Sequence, residues 1–346
     1  VNAERNITEN YSEQYDAVGG VYNSLSPYST GNYSISTIMI KTAFKTSDEN
    51  QSEIFERFRK NRYAVAFRLA DQYHGVANYS LDLDGFPDGF GKNSQRVLVP
   101  AFLSAYTGTK TSSVQTGLFS SFPLPNWTLK YTGLMKLSWF KDNFKRFSIQ
   151  HGYRSNYSVN SFRSNLNPEE RDQKGNIYAD YITSNVNLTE QFNPLARFDF
   201  ELKNSLNIMA EIKRDRSLNM SFDNNLLTEA QGNDYTIRVG YRIKGVQINS
   251  KLADNAQGMI KSDINIKGDF TLRTSKTIVR YLDYDNNQLG GGNNMWSFKL
   301  TADYSFSKNF TAIFFYDHQF SKAVISTAFP ITNIRSGFTL RYNFGN

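Results

Sequence analysis

The sequence predicts an all-β fold: about a dozen to fifteen strands of a transmembrane antiparallel β-barrel. Three observations carry this. Polar and apolar residues alternate over runs of about ten residues, the length of a tilted membrane strand rather than the five or six usual in soluble sheets. Connections alternate between tight turns and long polar loops. Aromatic residues make up 15% of the 346, with 27 Phe and 21 Tyr against 3 Trp, which suits two interfacial girdles. A soluble β-sandwich shares the alternation and the aromatic content, with less reason for the strand length and the loop asymmetry.

Along the chain, residues 1–31 read as an irregular N-terminal segment. The given residues open on Val1 and include no initiator Met and no apolar leader. The expectation is an export signal cleaved before Val1, or the tail of a longer polypeptide. Residues 32–125 read as irregular strands near 33–44 and 63–70 with insertions. Between those strands "SEIFERFRKNR" (52–62) reads as one or two helical turns outside the membrane layer, with Ser52 as N-cap and Phe55 and Phe58 three apart. The run "VLVPAFLSAY" (97–106) is too short for a spanning helix and holds Pro100. The mean hydropathy of −0.53 likewise excludes a helical membrane protein, although a barrel dilutes its apolar residues with polar ones.

Residues 126–346 read as the strand-rich region. Strands are expected at 126–139, 144–159, 177–190, 195–203, 206–213 and 217–223. The clearest runs follow. "DYTIRVGYRI" (234–243) sets Tyr235, Ile237, Val239 and Tyr241 against Arg238 and Arg242. "MIKSDINIKGDFTLR" (259–273) sets Ile264, Ile266 and Phe270 against Lys261 and Lys267. "WSFKLTADYSF" (296–306) sets Phe298 and Leu300 against Lys299. "FTAIFFYDHQF" (310–320) follows the short turn "SKN", whereas "NNQLGGGNN" (286–294) and 321–333 read as long loops. "RSGFTLRYNF" (335–344) puts Phe338, Leu340, Tyr342 and Phe344 opposite Arg335 and Arg341. In a barrel, Tyr235, Ile237, Phe298, Leu300, Phe338, Leu340, Tyr342 and Phe344 face lipid. Arg238, Arg242, Lys261, Lys267, Lys299, Arg335 and Arg341 line the lumen. In a sandwich the same cations form a solvated outer face.

Little else points to chemistry. With no cysteine, disulfides, thiolate metal sites and thiol nucleophiles are excluded. The 39 basic and 32 acidic residues are scattered, so the net charge of +7 forms no block suited to nucleic acid. His74, His151 and His318 stand far apart and read as structural or interfacial. No phosphate loop, nucleophile elbow or dinucleotide turn is present, and catalysis is not expected. The one site-like stretch is "DLDGFPDGFG" (82–91). Asp82, Asp84 and Asp88 are spaced around Gly85 and Gly89 in a pattern similar to a type 3 calcium repeat, without the Glu that completes an EF-hand. Asp and Gly also dominate ordinary turns, so the alternative is a plain acidic loop.

Several longer segments resemble a known family. These are "NSQRVLVPAFLSAYTG", "PLPNWTLKYTGL", "FSIQHGYRSNYSV", "NPLARFDFELKNSLNIMAEIKRDRSLNMSFDNNLLTE" and "NIRSGFTLRYNFGN". They look like the C-terminal part of the SprA family, the outer-membrane translocons of the type IX secretion system, also described as gliding-motility proteins. The likeness runs from about residue 30 to the end. It implies an exceptionally large single-chain barrel in the outer membrane, of which this chain supplies the C-terminal strands. It further implies export of folded proteins bearing a C-terminal secretion signal, a shuttle barrel partner (PorV) and a periplasmic plug protein. Energy would come from a proton-driven inner-membrane motor, with no catalytic residues in the pore. The alternative is a self-contained porin or transporter for small solutes; from another class, a secreted β-sandwich binding module.

The face assignment makes a direct prediction. Leu340→Arg should impair membrane assembly more than Arg341→Leu, because cations are costly on the lipid side alone. Equal tolerance of the two in a membrane-insertion assay would reverse or remove the assignment.

Overall fold

The computed structural model describes residues 1–167, 170–249, 259–307, 309–325 and 328–344. Its chain is dominated by one antiparallel sheet of 12 strands. The N-terminal strands are β1 (Ala3–Asn10), β2 (Glu13–Asp16), β3 (Val21–Ser24) and β4 (Tyr28–Ser36). An insert between β4 and the next strand carries α1 (Glu53–His74) and α2 (Gln95–Thr107). Then come β5 (Trp127–Tyr131), a 3-10 turn (Gly133–Lys136), α3 (Ser138–Asn143), β6 (Phe144–Ser164) and β7 (Tyr181–Ile182). The rest is a meander: β8 (Asn185–Leu202), β9 (Leu206–Ser221), β10 (Leu226–Asn249), β11 (Met259–Tyr281), β12 (Gln288–Ser305), β13 (Phe310–Ala323) and β14 (Ile331–Tyr342). The spatial order is β1-β4-β6-β8-β9-β10-β11-β12-β13-β14, with β5 and β7 paired to β6 and a separate β2-β3 hairpin. The sheet is not closed among the described residues: β1 and β14 each have a neighbour on one side only.

The insert packs on one end of one sheet face. In α1, Ile54, Phe55, Phe58, Val65, Ala66, Leu69 and Ala70 are buried, the stripe that a 3.6-residue period produces. Ser52 caps the helix, its Oγ accepting from the Phe55 amide at 3.3 Å. The α2 helix is buried over nearly its whole length, from Val97 to Tyr106. Phe58 and Phe102 meet edge to face between the two helices. Under them the sheet contributes Tyr157, Val159, Leu188, Leu218, Met220 and Leu227 to the same core.

Two buried ion pairs rivet the insert to the sheet. Arg280 on β11 contacts Glu229 on β10 at 3.2 Å, both side chains fully buried. Ser47 of the insert donates to Glu229 at 2.7 Å, and Arg280 donates to the Ser47 hydroxyl and to the Asp48 carbonyl. One step along the sheet, Arg216 pairs with Glu190 at 3.0 Å and donates to the Thr42 carbonyl and hydroxyl. Tyr153 completes that set, donating to Glu190 and accepting from the Met39 amide. The two sets bind insert backbone or hydroxyl groups, so the ion pairs bridge two layers.

Several expectations need correction. Residues 1–31 are not irregular; they hold β1, β2, β3 and the start of β4. The region 63–70 is helical, because its apolar residues continue the α1 stripe; the one or two turns expected at 52–62 belong to a 22-residue helix. The strand expected over 126–139 stops at Tyr131 and gives way to the 3-10 turn and α3. The runs 206–213 and 217–223 are one strand, β9, and 195–203 is the end of β8. The glycine-rich 286–294 is largely strand, since β12 begins at Gln288. The strands at 144–159, 234–243, 259–273, 296–306, 310–320 and 335–344 stand, most of them longer at one or both ends.

Removing one partner of a buried pair strands the other charge. Arg280→Met should therefore cost about 3–5 kcal/mol, and adding Glu229→Leu should recover much of it. Denaturant unfolding of the two variants measures the difference.

Candidate membrane-facing and lining surfaces

The register of the meander stacks residues into rows that cross the sheet. One row runs Ile212, Tyr235, Leu272, Trp296, Phe320. The next on the same face runs Phe198, Ala210, Ile237, Phe270, Phe298, His318, Ile334. A third runs Phe200, Ile208, Val239, Gly268, Leu300, Tyr316, Ser336. A fourth runs Leu206, Tyr241, Ile266, Ala302, Phe314, Phe338. The last runs Ile243, Ile264, Tyr304, Ala312, Leu340. From Tyr235 to Ile243 these rows span nine positions along each strand, and none of them carries Asp, Glu, Lys or Arg. Nine to eleven tilted residues cross about 30 Å of hydrocarbon. The row at one margin carries Tyr235, Trp296 and Phe320, and Phe310 and Tyr342 pair one step past the row of Leu340 at the other.

This apolar band lies open. Ile237 is 51% exposed, Phe338 77% and Leu340 65%. Tyr235, Tyr342 and Phe344 are exposed too, while Phe298 and Leu300 are half-buried among their neighbours. Tyr342 and Phe344 meet ring to ring just past the end of β14. Seven of the eight residues assigned to the apolar side by alternation share one face by register, and Phe344, beyond the end of β14, contacts Tyr342. A continuous apolar surface of this extent is not stable against water without a covering.

The opposite face is charged and largely paired within itself. Arg238 contacts Asp269 at 2.5 Å, Arg273 contacts Asp234 at 3.4 Å, and Arg335 contacts Asp317 at 2.7 Å, each across neighbouring strands. Arg197 joins Asp199 and Glu211, and Lys213 joins Glu211. Arg242 donates to Asn265 at 2.9 Å. Lys261, Lys267, Lys299 and Arg341 share this face and make no ion pair within 4 Å among the described residues.

The three carboxylates of the acidic loop point to different partners rather than to one centre. Asp82 turns inward as a cap, its Oδ1 accepting from the amides of Asp84 and Phe86. Asp84 contacts Lys92 at 2.9 Å. Asp88 takes a two-pronged contact from Arg171, at 2.6 and 2.8 Å. No group of three or more His, Cys, Asp or Glu side chains among the described residues could hold a metal. The loop has a twin that sequence reading missed. In "RDQKGNIY" (171–178), Asp172 Oδ1 accepts from Lys174 and Asn176, just as Asp82 does two and four residues on. Gly85 and Gly175 occupy the same position of each turn, at φ 80° and 83°, the left-handed region open to glycine. The turns dock through Arg171–Asp88, the Ile177 amide on the Gly89 carbonyl, and the Gly91 amide on Asn176 Oδ1. The shared Asp-x-x-Gly spacing was the available signal. Arg171 holds the Asp88 carboxyl below its ordinary value.

The histidines serve the scaffold. His74 lies 3.2 Å from the Asp88 carbonyl, His151 2.7 Å from the Leu195 carbonyl, and His318 against Trp296 in the apolar band. No helix among the described residues is long and apolar enough to cross a membrane. The fold and its surfaces thus define an antiparallel sheet with one apolar and one charged face and a helical insert. No protein-family model matches the sequence, and the search of curated proteins found no match.

Because the Asp88 pKa is depressed, its contribution to docking is present above the usual 3.8 and is lost as pH falls through the lowered value. The protection of the Ile177 amide, its exchange rate relative to the intrinsic rate at the same pH, should fall over that acidic range. Asp88→Asn should lower it already at neutral pH, and an unchanged Ile177 would remove Arg171–Asp88 from the docking.

Proposed function

We propose that this chain is part of the wall of a protein-conducting outer-membrane pore, exporting folded proteins in type IX secretion and supporting gliding motility. The observation that carries the membrane part is the nine-position apolar band, free of acidic and basic side chains on every strand it crosses. In the proposal this band faces lipid and the ion-paired face lines a polar interior. A hydrocarbon surrounding tolerates no open sheet edge, so β1 and β14 continue into further strands of a larger barrel. The secretion part rests on the segments that resemble SprA-type translocons. On that reading the partners are the remainder of the barrel, PorV, a periplasmic plug protein and cargo with a C-terminal signal. The pore itself performs no chemistry.

Extraction of the particle carrying this chain from outer membranes in mild detergent, followed by its mass and strand count, tests the reading. A very large barrel with further polypeptide is expected. A compact barrel closed by this chain alone would replace it with a small-solute porin. Depth supplies a second test. Leu300 lies mid-band and Leu340 at its margin, so Leu300→Arg should cost about 2–4 kcal/mol of membrane-folding stability, and Leu340→Arg less than that while still more than Arg341→Leu. Equal costs would displace the band.

A further inference from the structure

The helical insert and the apolar band occupy the same face of the sheet. The β10 strand pairs with β9 and β11 without a register shift from Leu226 to Tyr241. Leu227, Glu229, Tyr235 and Ile237 therefore project to one side. The first two lie under the insert; the last two are exposed. A body lodged inside a barrel would cover the charged face instead. The insert sits on the apolar side, just beyond the Tyr235 row.

At that boundary the strap 37–45 overhangs the sheet. Ile40 and Phe44 are exposed, at 38% and 56%. Phe44 packs against Phe192 at 5.3 Å, with the Arg214 guanidinium 5.2 Å from its ring centre. Lys41 and Lys45 flank it, both exposed, with Lys45 paired to Glu53 at 3.0 Å. Arg214 lies in the row next to the band, and register carries that row through Asn233, Thr274 and Asn294 to Lys322. Lys41, Arg214 and Lys322 make no ion pair within 4 Å among the described residues. On this face the half-buried Arg214 and the exposed Lys322 stand in the row next to the apolar rows, whereas Arg216 and Arg280 further on are buried under the insert. The margin of the apolar rows is where long basic side chains reach from an apolar surface to phosphate.

We propose that the strap, with Arg214 and Lys322, binds the phosphate-bearing headgroups of the adjoining bilayer leaflet, so that the insert rests on the membrane from the lipid side of the wall. This rests on the membrane reading above. The aromatic and aliphatic groups, Ile40 and Phe44, enter the interface, and the cations match the anionic phosphates.

The chain has no cysteine, so spin labels can be placed at Phe44→Cys, Lys41→Cys and Leu300→Cys. The particle is reconstituted in phosphatidylglycerol–phosphatidylcholine nanodiscs containing a nickel-chelating lipid. Labels at 44 and 41 should be relaxed several-fold more by the nickel lipid than by a soluble nickel chelate, and the label at 300 by oxygen in the hydrocarbon. If 44 and 41 respond only to the soluble chelate while 300 stays in hydrocarbon, the headgroup contact is overturned and the membrane reading stands. If 300 is also aqueous, the membrane reading falls, and the contact with it. Because Lys41 is exposed, its label remains informative if the Phe44 variant folds poorly.

Discussion

Register is the constraint on which the rest of this molecule depends. Side chains alternate at every residue, so a slip of one position would carry the apolar band to the charged face and the ion pairs to the apolar one. From β9 to β14 the pairing runs through long stretches without interruption, and each shift is local. Where β8 meets β9, the shift between Phe192 and Ala196 adds two residues to β8, an even number. Phe198 thus returns to the same side as Phe192, and the faces survive.

Sequence made the outer half of each strand legible and hid the inner half. From Tyr235 to Ile243 one register is wholly apolar, so alternation announces a strand. Between Leu227 and Asn233 the same register reads Leu, Glu, Gln, Asn, because the insert covers it and supplies polar partners. Alternation in hydropathy reports contact with an apolar medium, and fails where a strand is buried by hydrogen-bonded charge. The same cause blurred β9, where Arg214 and Arg216 break the pattern that joins Ile212 to Leu218. The helices were missed for another reason. "YAVAFRLA" looks like a short buried strand by itself, and shows its helical period only when read from Ser52 onward.

The site-like residues divide in the same way. The apolar and charged sides were both legible, since each is a matter of parity alone. The acidic loop was misleading because Asp-x-x-Gly encodes a turn as readily as a cation site. What decided it was the placement of Arg171 and Lys92, distant in sequence or outside the motif, beside the carboxylates. Likewise Glu190 and Glu229 gave no local sign that Arg216 and Arg280 would neutralise them from neighbouring strands.

The charged face has a consequence of an electrical kind. Its arginines and carboxylates sit opposite one another at the scale of a single strand spacing, so their fields cancel within a few ångströms of the surface. Such a wall is strongly hydrated yet nearly neutral to anything passing a Debye length away. If this face lines a passage, as proposed above, it offers wetting without adhesion and little sorting by net charge. Among the described residues Lys261, Lys267, Lys299 and Arg341 stand outside this matching, and so do the carboxylates of Asp215 and Asp303. Whatever electrical preference the surface retains is concentrated at these points of either sign on a compensated ground.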